Sequence, residues 1–103
     1  MRSPVDFRKQ IHRRLKEYLS RDRTGIRRAL LALFVRIKTW TIPQIFEQLQ
    51  RHFTISYHSI ASMVGIIASR IGILRVRRTS DGSNTQYELK EQYLDMVSDL
   101  VAI

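Results

Sequence analysis

Cysteine is absent from this 103-residue sequence, so disulfides, thiolate metal sites and thiol nucleophiles are excluded. The histidines His12, His52 and His58 lack the spacing of a metal pair on one helix, and no metal site or other cofactor is expected. No apolar run reaches the roughly 18 to 20 residues of a membrane span, and the first residues lack the apolar segment of a signal peptide. These absences predict a cytoplasmic protein with no membrane association.

Motifs of catalysis are also missing. The sequence has no glycine-rich phosphate loop and no nucleophile motif, and five of its nine acidic residues follow residue 80. Little material therefore remains for acid–base chemistry. We expect a protein that is not an enzyme, and no small-molecule ligand is evident from the sequence.

Acidic residues are scarce in the middle of the chain, and basic residues are not. The sequence has 18 Lys and Arg against nine Asp and Glu, a formal net charge of +9. Between residues 23 and 80 the only acid is Glu47, whereas the C-terminal segment is acidic. This polarity favours a nucleic-acid partner, and the alternative is that the arginines lie on ordinary solvated helix faces. A membrane-surface role for the N-terminal helix is disfavoured because its apolar stripe is needed for the core. The basic residues of the middle are Arg23, Arg27, Arg28, Arg36, Lys38, Arg51, Arg70, Arg75, Arg77 and Arg78.

The periodicity of apolar residues predicts the order of elements along one domain, 1–103. Helices are expected over 4–20, 26–38, 42–52 and 56–71, a β-hairpin over 73–89, and a last helix over 90–102. Thr41 and Gln44 have capping-box spacing, and Ser56 is a candidate N-cap. The fold class is therefore mainly α with a small β-hairpin (α+β), a winged helix-turn-helix with extra N- and C-terminal helices.

Alternation in the hairpin predicts two different faces. The predicted core side holds Leu74, Val76, Tyr87 and Leu89, and the predicted charged side holds Arg75, Arg77, Gln86 and Glu88.

The outer face of the 56–71 helix is small and neutral, with Ser62 and Gly65 at its centre. Small side chains let a helix approach a DNA groove closely, but the face lacks the Arg, Asn or Gln of bidentate base contacts. Groove insertion, a protein contact and a plain solvated face all remain open. On the first reading, the predicted DNA-binding residues are Tyr57, His58, Ser59, Ser62, Arg70, Arg75, Arg77, Arg78, Arg27, Arg28 and Arg36.

Apolar residues of the two terminal helices exceed what a three-helix core with a wing can cover. They predict a homodimer interface that sets the spacing of two recognition helices. In the alternative, both helices fold back and complete the core of a monomer. The residues concerned are Phe7, Ile11, Leu15, Tyr18, Tyr93, Leu94, Val97, Leu100 and Val101.

The segments 41–46 and 55–74 resemble an uncharacterised archaeal family of small proteins with no assigned function. The runs Met63-Val64-Gly65 and Arg70-Ile71-Gly72-Ile73-Leu74 are the most specific parts of this resemblance. More distantly, 41–74 is similar to the DNA-binding half of ferric-uptake-type repressors. That resemblance implies a winged helix and DNA binding, but not metal sensing, because the chain lacks the Cys or His metal set and a separate dimerisation domain.

Together these observations predict a double-stranded DNA-binding transcriptional regulator that acts as a homodimer. Duplex RNA stays open as an alternative ligand. The alternative function is a winged helix used as a protein–protein interaction module in a transcription, replication or RNA-processing assembly.

Overall fold

A computed structural model describes residues 4–78 and 85–102 of the chain. Within them lie five helices and a three-stranded antiparallel sheet, which confirms the predicted α+β winged-helix fold class. The predicted turn of the hairpin falls within 79–84, outside the described residues. The elements are α1 (Pro4–Ser20), α2 (Ile26–Arg36), β1 (Thr39–Thr41), α3 (Ile42–Leu49), α4 (Tyr57–Ile66), β2 (Leu74–Arg78), β3 (Thr85–Leu89) and α5 (Leu94–Val101).

The two helices of the helix-turn-helix begin where their caps predict. Thr41 Oγ1 accepts a hydrogen bond from the Gln44 backbone N–H at 3.3 Å, and Gln44 Oε1 accepts one from the Thr41 N–H at 3.0 Å. Ser56 Oγ accepts from the Ser59 N–H at 3.1 Å at the start of α4. Each cap satisfies N–H groups that have no partner within their own helix. α3 ends at Leu49, three residues before its predicted end.

Asp22 caps α2 from outside the helix. Its carboxylate accepts hydrogen bonds from the backbone N–H groups of Gly25, Arg27 and Arg28 at 3.1 to 3.2 Å. A negative charge at this end also interacts favourably with the helix dipole. The segment between α1 and α2 is therefore a cap as well as a break.

The predicted helix 56–71 is α-helical only as far as Ile66. Residues Ile67–Ile71 form a π-helical turn, and the Gly72 N–H donates to the Ile67 carbonyl at 3.0 Å. Gly72 has φ +84°, a left-handed conformation that side chains other than glycine rarely adopt. Its carbonyl accepts a hydrogen bond from Lys90 Nζ at 3.1 Å. This junction turns the chain from the end of α4 into β2.

The sheet contains one strand that was not predicted. This strand is β1. The strand order of the sheet is β1-β3-β2, with Trp40 paired to Tyr87 and Arg75 paired to Glu88. Trp40 is buried, and its Nε1 donates to the carbonyls of Leu33 at 2.9 Å and Ile37 at 2.7 Å. Because the chain turns here to form β1, α2 ends at Arg36 rather than at residue 38.

The core lies between the helices and the inner face of the sheet. α2 is buried on two sides, and both terminal helices pack against it, α5 more extensively than α1. Val76 was predicted to face the core, but it is 51% exposed. Every residue of β2 after Leu74 is exposed, so the core covers only the start of this strand. Side chains at the centre of the core are Leu15, Leu30, Leu31, Phe34, Ile45, Ile60, Val64, Ile67, Ile73, Leu89 and Val97.

Candidate nucleic-acid interface

The outer face of α4 is exposed as its periodicity predicts. His58, Ser62 and Gly65 are all exposed, while Ile60 and Val64 on the opposite side are fully buried. A Cβ added at Gly65 would meet nothing within 4 Å. This stretch of helix therefore presents an uncovered backbone and small polar groups to its surroundings.

Two of the predicted contact residues at the start of α4 have local roles. The Ser59 hydroxyl lies 2.9 Å from Ser56 Oγ and is half-buried beside the cap. Tyr57 makes an edge-to-face contact with Phe46 of α3, with ring centroids 5.8 Å apart, yet much of its ring remains exposed. Tyr57 can thus both brace the turn between α3 and α4 and meet a partner, whereas Ser59 mainly supports the cap.

The wing presents its charged side as predicted, and the same side contains an acid. Arg75 and Arg77 lie 3.9 and 3.6 Å from Glu88 Oε1, and the Thr39 hydroxyl lies 3.5 Å from Glu88 Oε2. Both arginines are more than half exposed, while the Glu88 side chain is largely covered. One carboxylate therefore holds two guanidinium groups side by side on an open sheet face.

Arg78, Arg70 and Arg36 are exposed, at the end of β2, after α4 and at the end of α2 respectively. The Arg70 carbonyl accepts a hydrogen bond from Arg14 Nη1 at 3.3 Å, which links α1 to the π-helical turn after α4.

Arg27 and Arg28, which were predicted to contact DNA, have contacts within the chain. The Arg27 guanidinium lies 4.4 Å from the centre of the Tyr18 ring and donates to the Tyr18 carbonyl at 2.9 Å. Arg28 Nη1 donates to the carbonyls of Leu100 and Val101 at 3.0 and 2.9 Å. A cation at these carbonyls caps the C-terminus of α5. Both arginines therefore fasten the terminal helices to α2.

Most of the predicted dimer-interface residues are covered by the chain itself. Ile11, Leu15, Tyr18, Val97 and Leu100 are buried in the core, so an interface would have to form without them. This burial agrees with the alternative in which the terminal helices complete one chain's core. Tyr93 and Val101 are half-buried, and Phe7 and Leu94 are 55% and 37% exposed.

Sequence reasoning missed two features of this surface. Glu88 was placed beside the arginines but not recognised as their shared partner. Arg14 and Arg21 were not linked to Arg70, although Arg14 and Tyr18 on α1 and Arg21 just beyond its end have the spacing of one helix face. That spacing was the available signal, and only the packing of α1 against the end of α4 gives it meaning.

Across residues 4–78 and 85–102, no three His, Asp or Glu side chains lie close enough together to hold a metal ion. In the same part of the chain, no helix is both long enough and apolar enough to cross a membrane.

A helix-turn-helix followed by a two-stranded wing, with a short third strand beside it, defines a winged-helix protein. The chain belongs to the family described as protein of unknown function (DUF2551), whose model matches residues 15–97. It is 38% identical over 93 residues to an uncharacterised protein of Archaeoglobus fulgidus, a match that covers 89% of this chain and 93% of that protein. The resemblance to an uncharacterised archaeal family is thereby confirmed.

The fold is similar to that of a solved transcriptional regulator. This is the organohalide-sensing regulator RdhR-CbdbA1625 in its 2,4-dichlorophenol-bound form, with a TM-score of 0.57 and 17% identity. The match covers 95% of this chain and 60% of the regulator, so this chain corresponds to little more than half of that protein's length. At this identity the similarity concerns the fold.

Proposed function

We propose that this protein binds double-stranded DNA as a transcriptional regulator, with α4 at the major groove and the basic wing on the adjacent backbone. The observation that carries the proposal is the uncovered outer face of α4, at His58, Ser62 and Gly65, in a fold whose wing also presents exposed arginines. Helix-turn-helix proteins insert the second helix of the motif in the same way. The similarity of its fold to that of a transcriptional regulator, over 95% of this chain, supports the proposal.

In this proposal the two parts of the surface have different tasks. Arg75, Arg77 and Arg78 contact phosphates, which gives affinity without sequence information. His58 and Ser62 face base edges, where a hydroxyl or imidazole can hydrogen-bond. The small face of α4 then reads DNA partly through close backbone approach and DNA shape.

Anisotropy of labelled duplex DNA and duplex RNA, titrated with salt, tests the proposal. About six phosphate contacts give a log–log slope near −5, at about −0.9 per contact. Replacing Arg75, Arg77 and Arg78 by Ala reduces the magnitude of that slope by about two to three. Weak binding that does not respond to salt would contradict the proposal, and a preference for RNA would change the ligand.

A charge on α4 tests the groove contact separately. Ser62→Glu places a carboxylate against the DNA and abolishes binding, while thermal unfolding stays unchanged because Ser62 is exposed. Ser20→Glu, an equally charged change at the end of α1, serves as the control. If Ser62→Glu binds DNA like the wild type, α4 does not lie in a groove.

The alternative, a protein–protein interaction module, is favoured by one observation. Tyr57 and Val76 are 48% and 51% exposed, and they belong to α4 and β2, the two elements of the proposed DNA surface. Exposed apolar side chains near a polar face are typical of protein contacts. If Tyr57→Ser and Val76→Ser variants still bind DNA, these two side chains do not contribute to DNA binding.

A further inference from the structure

An open cleft of about 260 Å³ lies where α1 and α2 meet the π-helical turn that ends α4. It contains four guanidinium groups against a single carboxylate, so its charge is strongly positive. Its walls also include a tyrosine ring and two isoleucines. The lining residues are Arg14, Glu17, Tyr18, Arg21, Arg27, Ile66, Arg70 and Ile71.

Two of the four guanidinium groups are held in place. Arg27 stacks on the Tyr18 ring and donates to the Tyr18 carbonyl, and Arg14 donates to the Arg70 carbonyl at 3.3 Å. Each of these hydrogen bonds uses one terminal nitrogen, and a guanidinium carries five N–H donors. These contacts fix the orientation of both guanidinium groups before any ligand binds. A ligand that binds their remaining N–H donors therefore does not have to order these two side chains.

Tyr18, one of the residues that line the cleft, has a buried hydroxyl. Tyr18 is 8% exposed, and its hydroxyl makes no hydrogen bond among the described residues. Burial raises the pKa of Tyr18 to about 12, more than the nearby Arg27 charge lowers it, so the hydroxyl remains a donor at neutral pH. Buried hydroxyls in proteins nearly always have a partner.

We propose that this cleft binds the carboxylate or phosphate group of a small organic ligand, with Arg14, Arg21, Arg27 and Arg70 as its donors. Arginine forks bind both groups in a bidentate manner, which a point charge does not. The proposal goes beyond DNA binding and does not depend on it. Since Arg70 and Ile71 belong to the turn that ends α4, an occupant would join α1 to the end of the recognition helix.

The position of the cleft favours a small ligand over DNA. It is concave, and its lining residues Arg70 and Ile71 lie in the π-helical turn beyond the end of α4. The exposed His58 lies near the opposite end of α4. Small-molecule sites are concave, whereas phosphate contacts to a duplex are made by outward-facing side chains.

Titration of ¹⁵N-labelled protein with inorganic phosphate and, separately, with benzoate at constant ionic strength tests the proposal. We expect saturable amide shifts around the cleft for at least one anion, and the two titrations separate a phosphate from a carboxylate ligand. Arg14→Gln with Arg21→Gln should weaken this binding at least about tenfold. Arg13→Gln with Lys16→Gln removes the same charge from exposed positions of α1 outside the cleft and should leave the binding unchanged.

Three results would overturn the proposal. Shifts that are diffuse or do not saturate with either anion mean that there is no site. Equal weakening by the control variant means that only net charge matters. If duplex DNA shifts the same amides and the Arg14→Gln/Arg21→Gln variant lowers the DNA salt slope by about two, the cleft is a DNA contact. Arg21→Gln alone provides the same comparison should the double variant unfold, and DNA binding by the wild type is scored independently.

Discussion

At the scale of single residues, Tyr18 has one feature that stabilises the fold and one that destabilises it. Its ring lies under the Arg27 guanidinium, a cation–π contact, while its buried hydroxyl makes no hydrogen bond among the described residues. An unpartnered buried polar group costs about 1 to 3 kcal/mol. The ring therefore stabilises the junction of α1 and α2, and the hydroxyl offsets part of that gain.

Tyr18→Phe keeps the ring and removes the hydroxyl. We expect the free energy of unfolding near neutral pH to stay the same or to rise by up to about 1 kcal/mol, because Phe leaves no group unsatisfied. Urea unfolding measures it. A loss of more than about 1 kcal/mol would show that the hydroxyl has a partner, such as a bound water.

The raised pKa of Tyr18 predicts that the free energy of unfolding depends on pH, and Tyr18→Phe is the reference for this effect. Burial raises the pKa of Tyr18 to about 12 from 10.0, so above pH 10 the unfolded chain loses this proton while the folded chain keeps it. This contribution to stability is complete below about pH 10 and is lost as the pH rises towards 12. Between about pH 9 and pH 11.5 the wild type should lose about 1 to 2 kcal/mol more than Tyr18→Phe, a figure reduced for partial solvent screening. Equal losses in urea unfolding would contradict this.

At the scale of elements, α4 carries a glycine that its own fold does not require. Gly65 lies within the helix, its φ is not positive, and there is open space where its Cβ would be. Glycine in a helix interior costs about 1 kcal/mol relative to alanine. Packing within the chain therefore does not explain this residue, whereas the proposed close approach of α4 to DNA would explain it.

Gly65→Ala separates these two effects. We expect the free energy of unfolding to rise by up to about 1 kcal/mol while DNA affinity falls about tenfold, because the added methyl holds the helix away from the groove. Chemical denaturation and anisotropy measure the two quantities on one sample. A variant that is more stable and binds equally well would remove Gly65 from the interface.

The wing gives a second prediction at this scale. Glu88→Gln releases Arg75 and Arg77 from their shared carboxylate and removes a negative charge from the proposed DNA face. DNA affinity should rise several-fold and the salt slope should steepen by about one, at a cost to stability below about 1 kcal/mol. Glu47→Gln on α3, which breaks the ion pair of Glu47 with Arg51, is the matched control. The same gain in both variants would assign the effect to net charge.

Elements with a local signal were predicted well, and those that depend on distant residues were not. The caps at Thr41 and Ser56 depend on neighbours three residues away, and both are confirmed. β1 has only three residues, and it is a strand because Trp40 pairs with Tyr87, which lies far along the chain. The π-helical turn at Ile67–Ile71 likewise leaves no local pattern, since its apolar spacing fits an α-helix as well.

The candidate site shows the same division. Exposure of His58 and Ser62 follows from helical periodicity, which the sequence contains. Arg28 looks like any other basic residue in the sequence, yet it caps α5 because the C-terminus of the chain returns to it. Charge can be counted from a sequence, but whether a guanidinium serves the fold or a partner depends on tertiary contacts.

At the scale of the whole molecule, a homodimer remains a proposal, and only part of the predicted set of interface residues is exposed enough to form it. Leu100 and Val97 are buried, so charges there would unfold the chain rather than separate two chains. Phe7 and Leu94, near the start of α1 and of α5, are the exposed apolar residues of the predicted set.

Phe7→Glu with Leu94→Glu tests the dimer without disturbing the core. Sedimentation equilibrium of the wild type at micromolar concentration should give about twice the chain mass of 12.2 kDa, and the variant should give the chain mass itself. The variant should also bind DNA more weakly, because two recognition helices one helical turn apart no longer act together. A wild type that is monomeric at every concentration rules the dimer out.

The order of the sheet has a consequence for solubility. β2 pairs with β3 on one side only, so among the described strands its other edge is open to strand addition by a second chain. Open edges promote aggregation, and natural proteins protect them with charged residues. Three of the five residues of β2 are arginines. We therefore expect the wing arginines to oppose the edge-to-edge growth of sheets between molecules, and their replacement by apolar residues to promote polymerisation even in the absence of DNA.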